Sequence, residues 1–109
     1  MDGAKIVVMY PYPKDVDAFE RAYTEEHAPM VTARNFPGIR KFVATRVLGT
    51  PDGSPPAFYR IAELYFASMA DLQAAAASPS AQPVVAHAVS ISSGGAPIVL
   101  VAQEDAKTF

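Results

Sequence analysis

The stretch FYRIAELYFASMAD, residues 58–71, decides the fold because a strand, a helix cap and the start of a helix follow one another within it. Side chains alternate between the two faces of a strand, which groups Tyr59, Ile61, Glu63 and Tyr65 on one face. Ser68 and Asp71 resemble a capping box, in which side chains satisfy exposed amides at a helix start. The stretch therefore predicts a strand over residues 58–66 and a helix over about residues 69–77, which Pro79 ends.

The flanking sequence completes the order β, α, β, β, α, β. A strand is expected over residues 5–10, a helix from the Asp15 cap to about Arg34, a strand over residues 39–48 and a final strand over residues 98–101. Residues 49–56 consist largely of turn formers and predict a hairpin loop, whereas residues 80–95 predict an irregular lid with a short helical piece at residues 84–88. We expect a single α+β domain over residues 1–109, with a polar tail at about 104–109. Its fold is a ferredoxin-like antiparallel sheet with both helices on one face.

Composition excludes several classes of function. The chain has 109 residues, of which 50% are hydrophobic and 18% charged, so it can bury one core. A net charge of -2 argues against nucleic-acid binding. Without cysteine and with two histidines, no thiol chemistry and no metal site are expected. No apolar run is long enough for a secretory core or a membrane span, which predicts a cytoplasmic protein without membrane contact.

The charge distribution predicts a homodimer. From Leu64 to Gln103 the only charged residue is Asp71. A sheet covered by helices on one face leaves its other face bare, and a second copy related by a two-fold axis is the simplest cover. The alternative is that the alanines and serines of this stretch lie on the surface without a partner.

The segment YTEEHAPM, residues 23–30, holds the candidate catalytic residue, His27. Pro29 lacks an N–H, so the carbonyl of Glu25 loses its helical partner and the resulting kink can open space beside the imidazole. An imidazole in a partly dry pocket can accept or donate a proton near neutral pH. The alternative interpretation is a half-buried histidine held by one hydrogen bond.

Other side chains are candidates for a binding cleft. Glu63 is predicted to lie among aromatic residues as an acid or base, or else to pair with Arg46 or Arg60 or to lie exposed at the sheet edge. The tyrosines can line a pocket with their hydroxyls, although aromatic residues at strand spacing also serve packing alone. His87, in the lid segment, can close over a ligand or simply pack. The candidate ligand-binding residues are Tyr10, Tyr12, Tyr23, Tyr59, Glu63, Tyr65 and His87.

The pattern of these residues resembles the EthD family. The resemblance rests on the strand end Tyr10-Pro11, then Asp15, Phe19, Tyr23, His27, Pro29 and Pro37-Gly38, followed by residues 59–66, Asp71, Ser78-Pro79 and Gly94-Gly95. It implies a dimeric α+β barrel in which two ferredoxin-like sheets pack face to face. It also implies His27 as general acid or base. The family often has an aspartate near the position of His87, so the resemblance carries no role for the lid.

Two functions are compatible with these features. The first is cofactor-independent proton transfer by His27 on an apolar or aromatic molecule, as in the dehydratases, isomerases and oxygenases that the resemblance implies. The second is a non-catalytic dimer that binds such a molecule or accompanies an oxidative degradation pathway. Some dimeric barrels bind haem through a histidine, but no further local feature supports haem here. The absence of a phosphate-binding glycine loop also excludes a nucleotide, so no cofactor is expected.

Overall fold

The computed structural model describes residues 3–109. Its strands and α-helices, in chain order, are β1 Ala4–Pro11, α1 Val16–Ala22, β2 Ile39–Arg46, β3 Phe58–Phe66, α2 Met69–Ala76, α3 Gln82–Ile91 and β4 Ile98–Gln103. A π-helical turn, Tyr23–His27, and a 3-10 turn, Ala28–Met30, continue α1, and a second 3-10 turn, Pro79–Ala81, precedes α3.

The four strands form one sheet in the order β2-β3-β1-β4, with every neighbouring pair antiparallel. β1 and β2 therefore run parallel to each other with β3 inserted between them, which is the split βαβ arrangement. At the centre of the sheet, Val8 of β1 lies opposite Ala62 of β3 and Val99 of β4. The predicted antiparallel ferredoxin-like fold is confirmed.

The core lies between one face of the sheet and the helices. Ser68 accepts a hydrogen bond from the backbone N–H of Asp71 at 3.1 Å, which fixes the start of α2 where the sequence predicts it. From there α2 buries Leu72 and Ala75 against Leu64 and neighbouring side chains of the sheet. A second cluster, which includes Tyr10, Phe19, Tyr23 and Tyr59, fills the space under α1.

The strand alternation predicted for residues 59–65 fails at Tyr59. The register between β1 and β3 shifts so that Pro11 lies opposite Phe58 and Tyr10 opposite Arg60, which leaves Tyr59 as an extra residue. This bulge turns Tyr59 toward the helices, where its ring centre lies 5.8 Å from that of Phe19. Tyr59 therefore does not share a face with Glu63 and Tyr65.

The helical segments also differ from expectation. The first helix does not reach Arg34: it leaves α geometry at Tyr23, and Val31 is already extended. Pro29, which has no N–H to donate, explains the early end. Residues 80–95 contain the ten-residue helix α3 instead of an irregular lid. Pro83 lies in the first turn of that helix, where a missing N–H costs nothing.

The face of the sheet opposite the helices, which we call the open face, carries a largely apolar surface. In register across the four strands, its apolar side chains are those of Val7, Met9, Val43, Ile61, Ile98 and Leu100. Near one end of this face, Lys5 Nζ lies 2.6 Å from an oxygen of Glu63. No helix within residues 3–109 has the length and hydropathy needed to cross a membrane.

Candidate functional site

A cavity of about 250 Å³ lies between the sheet and α3. The sheet forms its floor and α3 its roof, and the segment between α1 and β2 closes one side. Its lining residues are Ile6, Val8, Tyr10, His27, Val31, Phe36, Phe42, Ala62, Leu64, Ala76, Ala81, Val84, Val85, Ala88, Val89, Ala96, Pro97 and Val99. Tyr10 and His27 are the only members of this set with polar side chains. The cavity is thus an apolar chamber with one polar end.

The polar end is part of a chain of side-chain contacts that leads to the surface. The hydroxyl of Tyr10 lies 3.2 Å from Nε2 of His27. Nδ1 of His27 lies 3.0 Å from Nδ1 of His87, and Nε2 of His87 lies 3.4 Å from a carboxylate oxygen of Glu26. His27 is 5% exposed, His87 is half-buried and Glu26 is exposed. A buried imidazole therefore connects the cavity with solvent through a second histidine.

The π-helical turn positions His27. The backbone N–H of Ala28 donates to the carbonyl of Tyr23, five residues earlier, where an α-helix has a spacing of four. Tyr23 and His27, four residues apart, both face the core. The turn lies directly before Pro29, so the local sequence that interrupts regular hydrogen bonding also directs the imidazole to the cavity.

Burial controls the protonation of the site. It lowers the pKa of His27 from 6.5 to about 4, with the neighbouring His87 adding to the effect. Burial also raises the pKa of Tyr10, and it raises that of Tyr23 to about 12. At neutral pH the site therefore contains a neutral imidazole and two neutral phenols, and it offers a proton acceptor without a fixed charge.

The structure brings together some of the predicted site residues and separates others. Tyr10 and His27 line the cavity, and His87 contacts His27 from α3. Tyr23 and Tyr59 lie in the adjacent aromatic cluster, and the Tyr23 hydroxyl is buried without a hydrogen-bond partner among the described residues. Tyr12 is 46% exposed and packs edge-on against Tyr59.

Glu63 and Tyr65 lie on the open face, on the other side of the sheet from the cavity. Glu63 pairs with Lys5, and not with Arg46 or Arg60 as the sequence suggests. Arg60 instead pairs with Glu20 of α1 and lies over the Tyr23 ring at 4.9 Å. Lys41 lies 4.4 Å from the centre of the Tyr65 ring.

Sequence reasoning missed most of the cavity wall. Val84, Val85, Ala88 and Val89 line it from α3, and they recur at the spacing of one face of a helix. That spacing was the available signal, but Pro83 and the serine- and glycine-rich end of the segment favoured a loop. Within residues 3–109 no three histidine, aspartate or glutamate side chains are grouped so that they can hold a metal ion.

Comparisons with known proteins identify relatives over nearly the whole chain. The family model described as the EthD domain matches residues 12–89. A curated relative from Rhodococcus erythropolis, an uncharacterized 11.0 kDa protein in the thcB-thcC intergenic region, is 33% identical over 100 residues, which cover 92% of this chain and 94% of the relative.

Solved structures of similar proteins share the fold. An ethyl tert-butyl ether d (EthD) family protein from Bacillus halodurans C-125 is 28% identical with a TM-score of 0.84, covering 94% of this chain and 99% of that one. A dimeric ferredoxin-like protein of unknown function from Jannaschia sp. CCS1 is 21% identical with a TM-score of 0.67, covering 95% and 100%. SnoaB, a cofactor-independent oxygenase from Streptomyces nogalater, is 12% identical with a TM-score of 0.63, covering 100% and 97%. The last two show the fold alone.

Proposed function

The chain belongs to the EthD family, and on that basis we propose that it binds a small apolar or aromatic molecule in the cavity, where His27 transfers a proton without a cofactor. One observation carries this proposal: an otherwise apolar cavity ends at a neutral imidazole, Nε2 of His27, with the Tyr10 hydroxyl beside it. A neutral imidazole in a dry site is a proton acceptor.

The lining indicates which molecules fit. A volume of about 250 Å³ exceeds the roughly 150 Å³ of an apolar cavity that accepts benzene, so one ring with substituents or two fused rings can enter. Among residues 3–109 no charged side chain lines the cavity, which disfavours carboxylates and ammonium groups because their charge would be buried without a partner. The preferred ligand is a neutral cyclic or aromatic carbonyl compound with one acidic hydrogen directed at His27.

The contact between Tyr10 and His27 is compatible with this role. At 3.2 Å it is long for a hydrogen bond from a hydroxyl group. A ligand that approaches Nε2 more closely replaces a weak contact, and catalytic hydrogen bonds commonly shorten only when the substrate is bound.

The test uses 2-tetralone, a neutral bicyclic ketone with acidic C–H bonds, in deuterated buffer. We expect the protein to bind the ketone and to accelerate exchange of its acidic hydrogens, as followed by proton NMR. The His27→Gln variant keeps a polar side chain but has no base, so exchange should fall by roughly 10²-fold or more. Tyr65→Phe, a change on the open face, is the matched control and should exchange as the wild type does. Equal exchange rates for wild type and His27→Gln would remove His27 as the base.

A second function is favoured by a different observation. Both ring nitrogens of His27 already have partners, Tyr10 and His87, as in a histidine that serves structure alone. In that case the protein binds or delivers an apolar molecule, or accompanies an oxidative pathway, without turnover. A protein with this function should bind ketones with an affinity that rises with their apolar area and that is unchanged in His27→Gln. It should not exchange the acidic hydrogens of the ketone faster than buffer alone does.

We infer that two copies pack with their open faces together. Ile98 and Leu100 of β4 are 42% and 47% exposed there, and apolar side chains of the other three strands continue the surface. A ferredoxin-like protein of similar fold is described as dimeric, which supports a dimer but not a particular interface. Closed two-fold dimers are also the commonest soluble oligomers.

Sedimentation of two variants tests the dimer. Leu100→Glu places a charge in the proposed interface, on the edge strand β4, and should yield monomers, since an unpaired buried charge is costly. Leu48→Glu makes the same change at a loop position that is 85% exposed, and it should sediment as the wild type does. A wild-type protein that sediments as a monomer at all concentrations would contradict the assembly.

A further inference from the structure

The two histidine rings meet edge to edge. Their planes differ by 9° and their centres lie 5.2 Å apart, while the two Nδ1 atoms are 3.0 Å apart. The distance between the ring centres is nearly the sum of three lengths: from the centre of one ring to its Nδ1, from that Nδ1 to the other Nδ1, and from there to the centre of the second ring. Both nitrogens therefore lie near the line that joins the centres, and the rings are nearly coplanar. An N–H on one ring points directly at the lone pair of the other, as a strong hydrogen bond requires.

The position of each hydrogen follows from the partners at the ends of the chain of contacts. The Glu26 carboxylate only accepts hydrogen bonds, so Nε2 of His87 carries the hydrogen that meets it. In a neutral imidazole the other nitrogen is then the acceptor, which makes Nδ1 of His27 the donor between the rings. Nε2 of His27 is consequently without hydrogen and accepts from the Tyr10 hydroxyl. Every donor in this series points toward the next acceptor.

We propose that His87 and Glu26 form an exit path for the proton that His27 accepts, so that the buried ring does not have to hold a positive charge. As a proton binds to Nε2 of His27, the hydrogen on its Nδ1 passes to Nδ1 of His87. The hydrogen on Nε2 of His87 passes to Glu26 and then to water. The bound molecule keeps the electron pair of its broken bond as an anion, to which the new Nε2–H of His27 donates. Return of a proton along the same path restores every bond.

The path removes an obstacle to base catalysis at this site. An imidazolium at His27 is opposed by burial and by the neighbouring His87, the same causes that hold the pKa of His27 at about 4. A base that had to keep its proton would therefore be weak at neutral pH. A proton that moves on to a half-buried histidine and an exposed carboxylate leaves the His27 ring neutral, and the ligand's anion then has two hydrogen-bond donors beside it, the new Nε2–H of His27 and the hydroxyl of Tyr10. The inference deepens the proposed function and rests on the role of His27 as the base.

The test is NMR of the ligand-free protein labelled with ¹⁵N in its histidines. In the wild type we expect the hydrogen of His27 on Nδ1 and that of His87 on Nε2. The variant His87→Asn places an amide oxygen close to the position of Nδ1, so it keeps the acceptor for His27 but cannot pass a proton on. We expect His27 to retain its tautomer in this variant while exchange of its Nδ1 hydrogen with water slows by roughly 10²-fold.

Two further variants separate a proton path from a purely structural contact. In His87→Ala, added imidazole should restore fast exchange, because a free ring can occupy the space of the lost one; a structural role predicts no such rescue. Glu26→Gln, a change at an exposed position, should also slow exchange, whereas Glu25→Gln, the adjacent exposed carboxylate, should not. A wild-type His27 with its hydrogen on Nε2, or exchange unchanged in His87→Asn and Glu26→Gln, would overturn the proposal.

The outcome is independent of the ketone experiment. If the exit path fails while the ketone still exchanges, His27 remains the base and releases its proton by another route. If the path is present but the ketone experiment shows no role for His27, the proposed function fails and the path remains a property of the free protein.

Discussion

Acidification should destabilise the protein through His27. The ring is 5% exposed, and burial first, then His87, lowers its pKa from 6.5 to about 4. The titratable groups that face it are Tyr10 from β1, His87 from α3 and Tyr23 from its own helical segment. Both tyrosines are neutral acids, since burial raises their pKa values, so none of these groups supplies a negative charge to an imidazolium.

The size of the effect follows from proton linkage. Between pH 6.5 and about 4 the unfolded chain binds a proton at His27 that the folded chain does not. The free energy of unfolding therefore falls as the pH falls through this window, by up to about 1.4 kcal/mol per pH unit. Between about pH 7.5 and pH 5 the loss amounts to about 2 kcal/mol, or roughly 1.5 kcal/mol after allowance for screening by solvent.

Urea unfolding at these two pH values isolates the contribution. For each protein the measured quantity is the change in the free energy of unfolding between the two pH values. Carboxylates titrate in the wild type and in His27→Gln alike, so the difference between these two changes reports chiefly on residue 27. The wild type should lose about 1.5 kcal/mol more than the variant. Glu25→Gln, a change on the same turn, should leave the behaviour of the wild type unaltered. Equal losses in the wild type and His27→Gln would refute a buried, neutral His27.

Three further changes test the packing. A Cβ at Gly94 would lie 2.0 Å from the backbone oxygen of Tyr12, so Gly94→Ala should destabilise by about 3 kcal/mol or more in urea unfolding, whereas Gly49→Ala, with nothing within 4 Å, should change stability by less than about 0.5 kcal/mol. Ser68→Ala removes the α2 cap and should cost about 1 kcal/mol in the same assay, and no loss would contradict the role of the cap. Ala88→Leu adds apolar volume inside the cavity, so it should raise the melting temperature while weakening ketone binding by roughly tenfold, as measured by calorimetry.

Local sequence signals predicted the elements whose causes are local. The strand over residues 58–66 and the Ser68 cap depend on neighbouring residues, and the structure has them where they were expected. Pro29 likewise indicates a disturbed helix beside His27, although the pattern alone does not distinguish a π turn from a kink. The position of Pro83 in the first turn of α3 was compatible with a helix, but the flexible residues that follow weighed against it.

The features that escaped prediction depend on pairing between distant segments. Tyr59 changes face because β1 shifts register against β3, which no property of β3 alone reveals. Glu63 finds Lys5 on the neighbouring strand, 58 residues away in the chain. His87 lies 60 residues from His27, among alanines and valines that give no sign of a partner. Cross-strand register and helix placement decide these contacts.

The π-helical turn over Tyr23–His27 makes the site sensitive to chain length. A π turn accommodates one residue more than an α turn, and each residue of an α-helix advances the side-chain direction by about 100°. Deleting a single exposed residue, such as Thr24, would let the segment revert to continuous α-helix, in which Tyr23 and His27 would be three residues apart and about 60° apart around the axis, still on one face. Because the direction of the imidazole would change against Tyr23, the contacts of His27 with Tyr10 and His87 would have to form anew, so a change of one codon in this turn alters the polar end of the cavity while the sheet stays as it is.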